Sequence, residues 1–576
     1  MKKTKNCLSL LFSRKVIVSL IFFVVLGLIA PLIIFYSLGY RFDPKIGIFI
    51  YSGTVVLKPT PFDVSVFVDG KPLAKKQIDI INQSININGL RPGEYEIKVS
   101  KDGYRDWTKK TRVRSGIATE FWNVTLAPND SKAKEVLEKN IVKNAFSPNK
   151  KKLAYFTREE ESLAFYFRDN AGDHLISKET TNERLSVEAG EIKWSGNNNW
   201  LIFSFKKGGQ EQVWLFQTDS PDSTLISLND ILPQPPENND SPVETISDNN
   251  LLAEPKQKEK KVTVKPDFYT WDDGGDLYVL SDKKILNFRL KDIVAFANKK
   301  LADNKNRNIN SNENTNNNEN GNKNSAPSRN NNTNLNDNGK ESSSVSSSTI
   351  TDKSDGFTFC GSYLCSLSTG ERKIKILSLT GNLIKEVDFS TEMNSEFKYQ
   401  IFAYGEKLLA IIDEKKGLFL WDETRFKETG IGPITKIGEN VTDVYFSDDG
   451  KKLLFKTENE AIVYFVRDWE VQPKHLIGEK EIVYSQSDKI EKVQWFYDYQ
   501  NILVANKKEI WLLELDGREG RNKSLLFGSD KEIFDLSYDG GERKLWFSEG
   551  ENKDSKKLKE IIFPESSSIF SNIIGE

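Results

Sequence analysis

Apolar and polar positions alternate with a period of two over most of this chain, in short runs broken by Asn, Asp, Gly and Pro. The stretch from Val441 to Tyr464, VTDVYFSDDGKKLLFKTENEAIVY, shows the unit: a run ending in an aromatic, a polar turn, a second apolar run, another turn and a third run. Alternation of this kind between turn residues predicts strands. In six places an aromatic is followed seven residues later by an aliphatic that opens the next run. These are Phe146/Leu153, Trp194/Leu201, Phe357/Leu364, Phe402/Leu409, Phe446/Leu453 and Trp495/Ile502. Trp271 and Leu536 head two looser copies.

The heads recur at blade-sized steps: 48 residues from Phe146 to Trp194, 45 from Phe357 to Phe402, 44 from Phe402 to Phe446 and 49 from Phe446 to Trp495. The gaps on either side of Trp271 are longer. Each contains a polar low-complexity tract, about 233–266 (Pro, Asn, Glu and Lys) and about 298–355 (Asn and Ser). Such tracts bury too little apolar surface to offset chain entropy, and they are expected to be disordered inserts. Subtracting them restores the period. Eight heads with several short strands per unit predict an all-β, radially repeated fold, a β-propeller of seven or eight blades over 136–565. The last head is followed by Leu558 to Phe563, LKEIIF, and then by a polar tail, 566–576. The final unit is therefore short of one strand, which residues before Phe146 are expected to donate.

Two other segments precede the repeats. Residues 1–15 carry Lys2, Lys3, Lys5, Arg14 and Lys15, and Val16 to Leu38 is free of charge. A helix over 16–38 would be roughly 35 Å long, enough to cross a hydrocarbon core of about 30 Å. It exceeds the apolar core of a secretory signal and lacks a small-residue cleavage site before Gly39, so the expectation is an uncleaved membrane anchor rather than a cleaved signal. The basic flank predicts a cytoplasmic N terminus, with the bulk of the chain extracytoplasmic. Cys7 lies before the apolar run and does not read as a lipid-attachment site. Over 50–128 the chain alternates in TVVLKPT, VSVFVDGKPL, SININGL, GEYEIKVSKDGY and TEFWNVTLAP, a small antiparallel β domain with a hairpin turn at Asp69-Gly70. VFVDGKPL, LRPGEYEIKV, SKDGYRDW and VTLAP resemble the PEGA domain, a β-sandwich-like module. Gly93-Glu94, Gly103-Tyr104 and Trp107 stand at its recurring positions, although the tetrapeptide itself is absent. The resemblance implies an extracytoplasmic spacer or interaction module without catalytic residues. Tyr104 and Trp107 are expected in its core. In the repeats, FSPNKKKLAYF, WSGNNNWLIF and FSDDGKKLLF resemble the turn motif of TolB-like and WD40-like propellers, a likeness that implies fold and leaves function open.

Composition narrows the chemistry. Lysine plus arginine (81) nearly equals aspartate plus glutamate (83), so nothing points to nucleic acid. Two histidines and three cysteines leave few soft ligands, and no metal or cofactor is expected. Gly361-Ser362-Tyr363-Leu364-Cys365 lacks the second glycine of a nucleophile elbow. His174, in a DNAGDH turn, and His475, in a polar connection, read as surface residues. Asp272-Asp273-Gly274-Gly275-Asp276 lacks EF-hand spacing and reads as a hairpin turn. Lys256 to Lys261 reads as a solvated basic stretch. Cys360 and Cys365 flank a four-residue hairpin, and disulfide and two buried thiols both remain open. No catalytic motif emerges. The expectation is a non-enzymatic scaffold of the cell envelope, held to the cytoplasmic membrane through 16–38, whose propeller binds an envelope protein or a glycan. The rival is a propeller glycosidase or lyase with acidic residues at a central channel. Converging carboxylates would favour the rival, and an aromatic lining would favour binding.

Overall fold

The computed structural model describes residues 14–43, 47–73, 77–79, 82–129, 132–180, 186–219, 225–232, 266–313, 345, 347–351, 353–425, 434–497 and 499–563. The chain divides into two compact units. One comprises Leu137–Val441 with Glu551–Lys557, the other Met1–Val136, Thr442–Gly550 and Leu558–Glu576. Cys7, the tract Lys256 to Lys261 and the tail 566–576 lie outside the described residues.

The unit built on Leu137–Val441 holds five four-stranded sheets, here blades I to V, each with its strands hydrogen-bonded in chain order. Blade I is Lys143–Phe146, Leu153–Glu159, Ser162–Asp169 and Gly172–Thr180. The head strands of blades II to V are Val187–Trp194, Phe268–Trp271, Gly356–Cys360 and Gln400–Ala403. The sequence heads thus fall on real head strands, and Phe146 pairs with Leu153 and Trp194 with Leu201 as the spacing implies. Two of the spacings do not correspond to a cross-strand pair. Leu364 pairs with Phe359 rather than Phe357, and Leu409 with Ala403 rather than Phe402, because the turns of blades IV and V differ in length from the others.

The second expected insert also needs correcting at both ends. Leu290–Glu313 is a helix, its first turn held by Asp276, whose Oδ1 accepts the Leu290 N–H at 2.7 Å. Ile293 is fully buried, and Leu290, Val294 and Phe296 pack on the core of blades II and III. Ser347–Thr351 then supplies the fourth strand of blade III, with Ile350 buried. The interrupting tract is confined to 314–344, and the first one, 233–265, also lies outside the described residues.

The other unit starts with the helix Arg14–Ser37, Pro31 included. Its window Ile17–Ser37 is long and apolar enough to cross a membrane. A two-stranded hairpin follows, Tyr40–Asp43 with Ile48–Tyr51. The β domain then forms two four-stranded sheets. Asp69 and Gly70, both at positive φ, make the expected hairpin turn. The expectation of an antiparallel domain fails at one place, where Ala118–Thr125 runs parallel to Gly53–Thr60. Alternation fixes which face a strand buries but says nothing about the direction of its neighbour.

Blades VI and VII follow, with head strands Asp443–Phe446 and Ile490–Trp495. Blade VIII consists of Glu532–Asp539, Lys544–Asn552 and Ser555–Ile562, completed by the early strand Lys134–Glu135. Glu135 pairs with Lys559 and Lys134 with Glu560. The missing strand of the last unit is therefore donated from before Phe146, and eight blades are counted among the described residues.

Candidate binding site

In blades I, II and VI the turn after the head strand has a repeated construction. In blade VI, Ser447 is fully buried; its Oγ donates to Asp449 Oδ1 at 2.6 Å and accepts the Lys452 N–H at 3.0 Å. Asp449 Oδ1 also accepts the Lys451 N–H, and Gly450 takes φ 65°. Blade I repeats this with Ser147 and Asn149, and blade II with Ser195 and Asn197. A short polar side chain that mimics a backbone turn, followed by a residue at positive φ, dictates this motif. In blade VI this turn fixes where the head aromatic Phe446 stands.

In blades VI to VIII aromatic side chains surround a cavity of about 470 Å³, lined by Tyr445, Phe446, Trp495, Phe496, Tyr497, Tyr499 and Tyr538 with Asp448, Gln494, Gly540 and Gly541. The wall is rigid. Phe496 stacks on Tyr538 with centroids 4.8 Å apart, and Trp495 lies 5.9 Å from Tyr499. Trp495 Nε1 donates to the Tyr445 carbonyl at 3.0 Å. Gln494 clamps the next blade, its Nε2 donating to the Tyr538 carbonyl at 3.1 Å and its Oε1 accepting the Tyr538 N–H at 2.8 Å. Gly540 allows a close approach, since a Cβ there would stand 3.0 Å from Tyr497 Cβ. Tyr445, Phe446, Tyr497 and Tyr499 keep part of their surface open.

Beside the Tyr445 wall, Asp443 accepts Lys492 at 3.0 Å and lies 3.5 Å from Lys456. Burial pulls the Lys456 ammonium below the usual lysine range despite Asp443. Burial acts the same way on Lys492, but Tyr445 and Asp443 outweigh it and hold that ammonium above the ordinary range. Burial pushes the Tyr445 phenol up.

A second constellation joins the β domain to blades VI and VII inside the same unit. Lys109 and Glu514 have side chains 0% and 2% exposed and form an ion pair. Lys109 Nζ also donates to the Asp516 carbonyl at 2.8 Å. Glu514 accepts Trp107 Nε1 at 2.9 Å, the Asn522 N–H at 2.8 Å and Asn123 Nδ2 at 3.3 Å. Burial pushes the Glu514 carboxyl up against the pull of Lys109. Burial also acts on Asp516, but Arg518 and Lys109 hold that carboxyl below its ordinary value. Arg518 forks onto Asp516 and donates to the Glu120 carbonyl at 2.6 Å and to Gln472 Oε1 at 3.0 Å. A buried network in which the charges are paired and hydrogen-bonded is rigid. The β domain is thereby fastened to the blades rather than strung before them as a spacer. Trp107 is in the core as expected, packed on Phe121, and also serves this joint.

The remaining sequence candidates are placed as follows. Cys360 and Cys365 form a disulfide with Cα atoms 5.8 Å apart, buried in the core of blades IV and V. Gly361 to Cys365 is a strand hairpin. Asp272 Oδ1 accepts the Asp276 N–H at 2.8 Å, closing a hairpin turn. His174 stacks on Phe167 and contacts Asp169 at 3.0 Å. His475 stacks on Phe465 with Glu479 at 3.1 Å, its side chain only 18% exposed, so the surface reading of this residue is corrected. Neither histidine lines the aromatic cavity.

Residues 52–129 match the family described as the PEGA domain. Among curated proteins, none matches the chain. Solved structures similar to it include the C-terminal WD40 domain of Sif2, with a TM-score of 0.39 at 11% identity, covering 75% of this chain and 99% of that one. The Dos1 propeller gives 0.39 at 9% identity, covering 74% and 93%. The AfRom2 CNH domain gives 0.32 at 10% identity, covering 67% and 98%. The chain thus combines an N-terminal apolar helix, a PEGA domain match over 52–129 and β-propeller blades.

Proposed function

We propose that this protein is a membrane-anchored, extracytoplasmic binding platform of the cell envelope, whose aromatic cavity on blades VI to VIII receives a partner protein or a glycan. The lining carries the reading: seven aromatic side chains and one carboxylate, Asp448, surround the cavity. Glycoside hydrolysis ordinarily needs two converging carboxylates, whereas recognition draws on rigid aromatic surfaces that have a polar handle. The basic residues before the apolar helix support an orientation with the blades outside, and the Cys360–Cys365 disulfide suits an oxidising compartment.

The test is capture from membranes after mild cross-linking, comparing the wild-type chain with the double variant Tyr497→Ala/Tyr499→Ala. Both side chains are partly exposed at the surface of the wall, so the blades should survive their loss. Loss of a captured protein or glycan in the double variant, at unchanged abundance and melting temperature, is the expected result. An unchanged capture profile would rule this cavity out as the contact surface.

A further inference from the structure

The hairpin after the apolar helix presents a pattern that no water-soluble hairpin needs. Tyr40 pairs with Tyr51 and Phe42 with Phe49, so four aromatics share one face of two short strands. An isolated two-stranded hairpin is marginal in water, and contiguous exposed apolar surface marks a contact. Here Phe42 is 56%, Phe49 43% and Tyr51 39% exposed.

The ladder is also tied to the end of the helix. Phe35, in the last turn, lies 5.4 Å from Tyr40 and 6.1 Å from Phe49, ring to ring. Gly39, at φ 90°, turns the chain back, and its carbonyl accepts both the Ser52 N–H and Ser52 Oγ. Arg41 sits 3.6 Å over the Tyr36 ring and donates to the Tyr36 carbonyl. At the other end, the Tyr51 ring occupies the space above Gly116, where a Cβ would come within 2.2 Å of its hydroxyl. The next residue, Ile117, is 52% exposed.

We propose that the hairpin Tyr40–Tyr51 is a second membrane anchor, seated in the headgroup region of the leaflet in which the helix ends and setting the tilt of the PEGA domain on the bilayer. This rests on the helix spanning the membrane. The occupant is a phospholipid surface because the ladder continues the apolar surface of the helix without a break, at the depth of its last turn. Aromatic rings and an arginine that folds back over one of them are the side chains that partition to that zone. Gly116 is the contact that passes the hairpin's orientation on, since a side chain there would displace Tyr51.

The experiment uses the full chain carrying Cys7→Ser, reconstituted in phosphatidylcholine vesicles, with the Cys360–Cys365 disulfide left intact. A nitroxide is placed at Phe42→Cys and, in a separate variant, at Phe49→Cys, with Leu26→Cys in the helix and Leu383→Cys on blade IV as references. Accessibility to oxygen is compared with accessibility to a water-soluble nickel chelate. Labels at 42 and 49 should be several-fold more shielded from nickel than the label at 383, and less shielded than that at 26. Should 26 be shielded while 42 and 49 are as open as 383, the helix spans and the hairpin does not anchor, which overturns the proposal. A label at 26 open to nickel would remove the spanning helix and this proposal together. Two label positions guard against one substitution disturbing the ladder.

Discussion

Lys109→Met tests the joint between the PEGA domain and the blades. The substitution keeps most of the apolar stem and removes the ammonium together with its hydrogen bond to the Asp516 carbonyl, leaving Glu514 at 2% exposure without its cation. Breaking a buried ion pair from one side costs about 3–5 kcal/mol. Glu514 retains Trp107, Asn123 and Asn522 as neutral donors, which places the expected loss near the lower figure, about 3 kcal/mol. The pH dependence supplies an independent sign. Burial already raises the Glu514 carboxyl above its ordinary value of 4.5, and loss of the ammonium raises it further. A carboxyl with a raised folded-state pKa takes up a proton on folding, so its contribution is full below about pH 4.5 and declines as pH rises towards the folded value, by up to about 1.4 kcal/mol per unit. The deficit of the variant should therefore be largest near pH 8 and shrink towards pH 5. The assay is urea unfolding of the detergent-solubilised full chain, followed by tryptophan fluorescence, with Glu514→Gln and the double variant completing a cycle. A coupling of about 2 kcal/mol is expected. A loss below about 1 kcal/mol, or a deficit that does not change with pH, would refute a desolvated pair at this position.

Gln494→Leu removes both hydrogen bonds to the Tyr538 backbone, so a loss of about 1–3 kcal/mol should appear in the same unfolding assay, and Gln494→Glu should restore only the bond to the Tyr538 N–H. Glu371, contacting Lys375 at 2.6 Å and Lys353 at 2.9 Å, has its carboxyl lowered to about 2 by those two lysines. Its stabilising contribution is present above the ordinary value of 4.5 and is lost as pH falls towards about 2, so Glu371→Gln should narrow the stability difference between neutral and acid pH, and an unchanged acid profile would contradict the pairing. Deletion of 314–344 should leave the melting temperature within a few degrees. A deletion extended through Thr351 removes the fourth strand of blade III and the buried Ile350, and should lower it clearly.

The blades were legible because their signal is local. An aromatic, a Ser-x-Asp or Ser-x-Asn turn and an aliphatic partner occupy a dozen consecutive residues, and each hydrogen bond of the turn lies within that span. The donated strand was legible as a deficit, since the last unit lacked one. The seven-residue spacing does not by itself give the register, because turn length varies between blades: Phe146 faces Leu153, but Leu364 faces Phe359 and Leu409 faces Ala403. The parallel pair in the PEGA domain was missed because alternation does not report the direction of a neighbouring strand, and the helix that opens the second insert left no period-two signal to read.

The buried joint was missed for a different reason. Lysine and glutamate in a strand usually mark its wet face, so Lys109 and Glu514 did not stand out, and Arg518 lies in the turn that follows Glu509–Glu514. A signal was present all the same. In WTKKTRV, alternation places Lys109 on the face of Trp107, Thr111 and Val113, and that face is the buried one. A lysine in phase with a core tryptophan must find an anion or stay neutral. The aromatic cavity was half legible: Phe446 and Trp495 were identified as heads, but which heads converge is set by the packing of successive blades, and the Phe496–Tyr538 stack joins residues more than forty apart.

The most direct test of the binding role is photocross-linking in intact cells, with a benzophenone amino acid in place of Tyr497 at the cavity and, as the reference, in place of the exposed Leu175 on blade I. A discrete adduct at 497 that is absent at 175, and that disappears when Tyr499→Ala is added, is predicted. The same adducts from both positions, or none from 497 while the chain is present at normal abundance, would contradict a partner seated in the aromatic cavity.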